Sequence, residues 1–199
     1  MTSTTSRPAA RCRAWLGCGA LLFAWVVARA AAPAAPLLDL GPVPAADPAW
    51  ARTTERQLAQ FRQAAGWTLL VRCSARSPAP EEDRVPGAYM QALATRLGVA
   101  EQGVLAVYFD DEAEWRLWIG TQRAPAFVGQ PGTAEEFTRS GALHRAKEAF
   151  LATVQAAAES AAAARLKTAP AGRGPPPGWR RQDQTDALIA GLIARLGAP

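Results

Sequence analysis

The chain has 199 residues and a formal net charge of +5. Its first 30 residues hold four arginines and no acidic residue, which leaves 18 basic and 17 acidic residues in the remainder. A net charge of +1 lacks the concentrated positive charge of a nucleic-acid-binding protein, so we expect no nucleic-acid partner. Cys73 is the only cysteine in that remainder, which excludes an intrachain disulfide there.

Residues 1–30 have the pattern of a secretory signal peptide. Arginines precede an uncharged apolar run of about 15 residues, 14–28, which is shorter than the roughly 20 residues of a spanning helix. Ala28-Arg29-Ala30 then matches a cleavage site of small residues. We therefore expect cleavage near Ala30 to Ala32 and a periplasmic or secreted mature chain. The alternative is an uncleaved N-terminal membrane anchor.

The next part of the chain predicts a single α/β domain. Residues 31–46 are rich in proline and alanine and form an extended lead-in. Apolar periodicity and capping signals between residues 47 and 168 then predict elements in the order α-β-α-β-β-α. These are helices 47–66, 86–98 and 133–168, and strands 67–74, 103–109 and 115–120. A βαβ unit followed by an antiparallel hairpin gives a small mixed sheet sandwiched by helices.

The end of the chain predicts a linker and a further helix. Residues 169–179 are rich in proline and glycine, and residues 180–199 form an amphipathic tail helix. Its apolar side carries Leu188, Ile189, Leu192, Ile193 and Leu196. We expect residues 180–197 either to bind a partner protein of the cell envelope or to dock on the domain itself. No second apolar run is long enough to span a membrane.

Acidic residues follow the predicted strands at one edge of the sheet. The carboxyl ends of parallel strands share an edge, and ligands of α/β sheets favour the crevice there. Asp110 and Asp111 follow the second strand, and Asp39 precedes the first helix, whose N-terminus points toward the same edge. These carboxylates are predicted to bind Ca²⁺ or Mg²⁺, and Arg76 and Arg84 to bind a phosphate or another anion. The alternative is that the acidic residues only form soluble turns.

The remaining candidates are weaker. Glu112 and Glu114 are expected to belong to the hairpin turn, and His144, the only histidine, to lie on a helix surface. Cys73 falls on the apolar side of its strand, where a buried and inert thiol is expected. No nucleophile motif is present, so no catalytic residue is assigned.

Two stretches resemble the TPM domain family. The first is GAYMQALATRLGVAEQGVLAVYFDDEAEWRLWIG, residues 87–120, with a helix ending at a glycine, a Gly-Val-Leu strand, a polar hairpin tip and a strand closing on glycine. The second is LLDLGPVPAADPAWARTTERQLAQF, in which Asp39 precedes the first helix. The likeness covers residues 37–155, and residues 47–168 are interpreted as the TPM-like domain.

The resemblance implies an extracytoplasmic α/β sandwich in which Asp39, Asp110 and Asp111 match polar positions of the family. Thylakoid-lumen and bacterial members are linked to phosphatase activity and divalent-metal binding, and others to the maintenance of membrane protein complexes. We therefore expect an exported, non-catalytic interaction or accessory module of the cell envelope with a divalent-metal site. The alternative hypothesis is a metal-dependent, phosphatase-like hydrolase.

Overall fold

A four-stranded mixed sheet lies at the centre of the protein. The structure, a computed structural model, describes residues 35–41, 47–169 and 178–197, which belong to one compact unit. The strands are β1 Leu38–Asp39, β2 Leu69–Ser74, β3 Val104–Phe109 and β4 Glu114–Ile119, in the order β1-β2-β3-β4. The pairs β1–β2 and β2–β3 are parallel and β3–β4 is antiparallel, which confirms the predicted mixed α/β fold.

Six helices accompany the sheet in the described residues. They are α1 Pro48–Ala65, α2 Ala88–Arg96, α3 Ala124–Val128, α4 Ala134–Arg139, α5 Ala142–Thr168 and α6 Trp179–Leu196. Local chemistry explains where α1 begins and ends. The Asp47 carboxylate accepts a hydrogen bond from the Ala49 N–H, Pro48 fills the first turn, and Gly66 ends the helix at φ 72°.

Helices cover both faces of the sheet. All six residues of β3 are buried, as expected for a strand covered on both sides. Successive side chains of a strand point to opposite faces, so Tyr108 and Phe109 mark the two sides. Tyr89 of α2 packs edge-on against Phe109 with ring centroids 6.1 Å apart, whereas Arg181 of α6 lies over the Tyr108 ring. Helices α2 and α6 therefore sit on opposite faces.

Three local predictions need correction. The predicted helix 133–168 is two helices, α4 and α5, because Gly141 adopts φ 72° between them. Residues 121–132, which were predicted to form neither a helix nor a strand, contain α3, whose Phe127 is fully buried. The lead-in contributes β1, a strand too short to show a period of its own, which pairs Leu38 with Val71.

The last helix docks on its own domain. Leu188, Ile189 and Leu192 are each at most 1% exposed, and Gly191 permits close packing, since a Cβ there would lie 3.0 Å from the Phe150 ring of α5. The two predicted alternatives for this helix are thus distinguished: its apolar side is buried within the chain and is not a free handle for a partner.

Several regions named in the sequence analysis lie outside the described residues. They are the predicted signal peptide and its cleavage region, residues 1–34, residues 42–46 of the lead-in, most of the predicted linker, residues 170–177, and the last two residues of the predicted tail, 198–199. Within the part of the chain that the structure describes, no helix combines the length and apolar character needed to cross a membrane.

Candidate functional site

Asp39 is held by an ion pair within the sheet. It ends β1 directly opposite Arg72 of β2, and its Oδ2 accepts a hydrogen bond from Arg72 Nη1 at 2.8 Å. Its other oxygen accepts from the Gly41 N–H at 3.0 Å. Both carboxylate oxygens thus fix the chain as it leaves the edge strand.

Asp110 connects the end of β3 to α6. Its N–H donates to the Ser74 carbonyl at 2.9 Å, which extends the parallel pairing by one residue. Its carboxylate forms an ion pair with Arg181, whose guanidinium carbon lies 3.9 Å from the centroid of the Tyr108 ring. The pair and the ring together hold the first turn of α6 against the carboxyl end of β3.

Asp111 holds the loop after β2. Both of its carboxylate oxygens lie 2.9 Å from the Ser77 nitrogen, and Oδ2 also accepts from the Ser77 hydroxyl at 2.9 Å. The Ser77 backbone N–H lowers the pKa of Asp111, because it stabilises the charged carboxylate. At neutral pH this side chain is therefore an ionised acceptor that fixes a loop.

Arg116 of β4 completes the attachment of that loop. Its guanidinium pairs with Asp83 at 3.1 Å and with Glu112 at 2.6 Å, and lies 5.1 Å from the centroid of the Phe109 ring. The Asp83 carboxylate also accepts from the Tyr89 N–H at 3.3 Å, at the start of α2. The acidic hairpin tip thus joins the β2–α2 loop to the sheet.

The three predicted metal ligands each have a separate partner. Asp39 pairs with Arg72, Asp110 with Arg181, and Asp111 with Ser77. Among residues 35–41, 47–169 and 178–197, no three histidine, cysteine or acidic side chains are grouped so that they could hold a metal ion. A Ca²⁺ or Mg²⁺ site at Asp39, Asp110 and Asp111 stays a prediction without support from this geometry.

The predicted anion-binding arginines lie in the loop after β2. Arg76 and Arg84 are both exposed. The side chain of Ser74 donates to the Arg76 carbonyl at 2.7 Å, so the ordered contact of Arg76 is made by its backbone. Their role in anion binding stays a prediction.

Cys73 and His144 have the surroundings expected from the sequence. Cys73 is 6% exposed, and burial raises the pKa of its thiol, although the nearby Arg181 lowers it in part. A neutral, buried thiol is a poor nucleophile. His144 is exposed on α5 and lies 3.1 Å from Glu148 one turn later, as is typical of a solvated helix surface.

The arginines that pair with these carboxylates were not predicted from the sequence. Arg72 and Arg116 occupy polar positions of otherwise apolar strands, a signal that two-residue alternation contains. No local sequence pattern indicated a role for Arg181, because its partner Asp110 is 71 residues away in the chain. Only the docking of α6 brings these two residues together.

The fold and this edge define a class of protein, an α/β domain in which Asp39, Asp110 and Asp111 at the carboxyl edge each have a partner within the chain. No family model matches the chain, and no curated protein is significantly similar to it.

Proposed function

We propose that this protein is an exported, non-catalytic binding module with a TPM-like α/β fold, which serves as an accessory domain in the cell envelope. One observation carries the proposal. Asp39, Asp110 and Asp111, at the carboxyl edge of the sheet where an enzyme of this architecture would place its chemistry, are each engaged in contacts that hold the fold together.

The chemistry of these groups supports a structural role. A general base needs a lone pair directed at its substrate and a pKa near the working pH. The carboxylate of Asp110 is held by Arg181, and that of Asp111 accepts three hydrogen bonds from Ser77. The Cys73 thiol is buried with a raised pKa. None of these three groups suits acid–base or nucleophilic work.

The docking of α6 limits where an envelope partner would bind. Because the apolar side of α6 is buried in the core, a partner would contact exposed polar surface or an open groove instead. Export is supported by the sequence of residues 1–30, and a TPM-like fold by the resemblance of residues 37–155 together with the mixed sheet.

The proposal is tested by an assay for hydrolysis. Purified protein is incubated with p-nitrophenyl phosphate in millimolar Mg²⁺ or Ca²⁺, beside Asp110→Asn and Asp111→Asn variants. We expect no turnover above the variants in either metal. Metal-dependent turnover that both substitutions abolish would overturn the proposal in favour of a phosphatase-like hydrolase.

Export is tested separately with a reporter. Residues 1–34 are fused to a β-lactamase that lacks its own signal, and ampicillin resistance is measured, since that enzyme protects a cell only from outside the cytoplasm. We expect resistance with the natural sequence and its loss when Arg7, Arg11 and Arg13 are replaced by glutamate. Failure of the natural fusion to protect the cell would contradict the exported location.

A further inference from the structure

An open groove of about 800 Å³ lies between the β1 segment and the first half of α1. A volume of this size is within the range of small-molecule sites, roughly 300–1,000 Å³. The groove shares only Asp39 with the three carboxylates of the candidate site, and its other lining residues belong to the β1 segment and to α1.

The strand side of the groove is apolar. Leu38 of β1 and Leu40, the first residue after that strand, both line it and are only partly buried. The exposed Pro36 and the partly buried Ala51 extend this surface. Partly exposed leucines at an edge strand gain free energy when an apolar group covers them.

The acidic residues of the groove are already engaged. The two oxygens of Glu55 accept from the N–H groups of Leu37, at 3.0 Å, and Leu38, at 2.6 Å. Asp39 pairs with Arg72 and accepts from Gly41. These contacts hold β1 to α1 and to β2, so neither carboxylate is directed at a ligand.

The basic residues of the groove keep their charge available. Arg52 and Arg56 are exposed, and within the described residues no carboxylate lies at ion-pair distance from either guanidinium, as the ion pairs all involve other residues. In the described part of the chain, Arg56 donates only within its own helix, to the Arg52 carbonyl and the Thr53 hydroxyl, both at 3.3 Å. Like charges at positions i and i+4 are neighbours that repel each other.

We propose that this groove binds an amphipathic anion, a carboxylate with an alkyl chain. The carboxylate lies between the Arg52 and Arg56 guanidiniums, whose N–H groups suit its two oxygens. The chain extends over Leu38 and Leu40 toward Pro36. The charges of Arg52 and Arg56 favour an anion, and the side chains of Leu38 and Leu40 favour a ligand with an apolar tail.

In the test, purified protein is titrated with decanoate. Binding is measured by calorimetry and by the change in melting temperature. We expect saturable binding with a rise in melting temperature, and no such binding of decyltrimethylammonium, which has the same chain and the opposite charge. Arg52→Gln/Arg56→Gln is expected to weaken decanoate about tenfold or more, because charge-assisted hydrogen bonds are lost. Leu40→Ser is expected to weaken it by removing apolar contact.

Arg96→Gln is the matched control, since Arg96 is an exposed arginine in the last turn of α2 and does not line the groove. It is expected to leave decanoate binding unchanged. Circular dichroism melting of each variant without ligand shows that it is folded. Absence of binding, equal binding of the cationic amphiphile, or undiminished binding by the double variant would each overturn the proposal. Equal binding of inorganic phosphate would overturn the requirement for an apolar tail.

Discussion

Leu188 tests directly whether the last helix is an integral part of the domain. Its side chain is 0% exposed, and α6 packs closely on α5, where Gly191 faces the Phe150 ring. Replacing a fully buried leucine by alanine removes its apolar contacts and leaves a cavity, at a cost of about 3–5 kcal/mol. Since domains of this size are stable by about 5–15 kcal/mol, Leu188→Ala is expected to remove a large share of the free energy of unfolding.

The matched control uses the same substitution on a different surface. Leu166, in the last turns of α5, is 50% exposed, so Leu166→Ala is expected to cost about 1 kcal/mol or less. Both variants are unfolded in urea and followed by circular dichroism, and the two midpoints are compared at equal slope. If Leu188→Ala costs no more than Leu166→Ala, α6 is not docked, and the hypothesis of a free handle for a partner is restored.

Three further predictions concern the hairpin tip and α5. Asp111→Asn is expected to lower the melting temperature at neutral pH. Because the folded-state pKa of Asp111 is lowered, its contribution is present above the unfolded pKa and disappears as the pH falls through the folded one, so a gap to wild type that persists in strong acid would contradict this. Arg116→Gln is expected to lower the free energy of unfolding by up to about 1 kcal/mol, since its ion pairs are partly exposed. It is also expected to speed amide exchange in residues 75–87 while leaving amide exchange in α5 unchanged. An equal increase of exchange in both regions would refute a local role. Burial lowers the pKa of Lys147 to about 8, so the unfolded chain binds more protons above that pH and Lys147 makes stability rise with pH there. Lys147→Met is expected to raise the melting temperature near pH 7 and to lose this advantage as the pH rises above 8. The control Lys167→Met, at an exposed position of the same helix, is expected to show no such rise.

The elements that could be predicted are those with local causes. Asp47, Pro48 and Gly66 bound α1 through contacts within a few residues, and Thr133 with Glu136 forms a capping box at the start of α4. The βαβ unit and the hairpin followed from apolar runs of the right length and from the polar tip between them. The prediction of one continuous helix over residues 133–168 was wrong because of Gly141. A glycine within a helical pattern can take a helical or a positive φ, and only the structure shows that its φ is positive here.

The location of the candidate site could be predicted from the sequence, but the contacts of its side chains could not. Asp39, Asp110 and Asp111 were assigned to one edge because parallel strands end together. Which cation faces each carboxylate depends on side-chain direction and on segments far apart in the chain, such as Arg72 for Asp39 and Arg181 for Asp110. A carboxylate that looks available in the sequence can therefore be an acceptor already in use.

The sequence by itself determined the α/β class, the apolar strand β3, the amphipathic character of α6 and the buried position of Cys73, because hydrophobic periodicity and capping act over a few residues. Only the tertiary structure decided that the apolar side of α6 is covered by its own domain and that Asp39, Asp110 and Asp111 each have a partner in the chain. The physical reason is that burial and ion pairing are properties of the surface that a segment meets. That surface is set by the packing of α5, α6 and the sheet together.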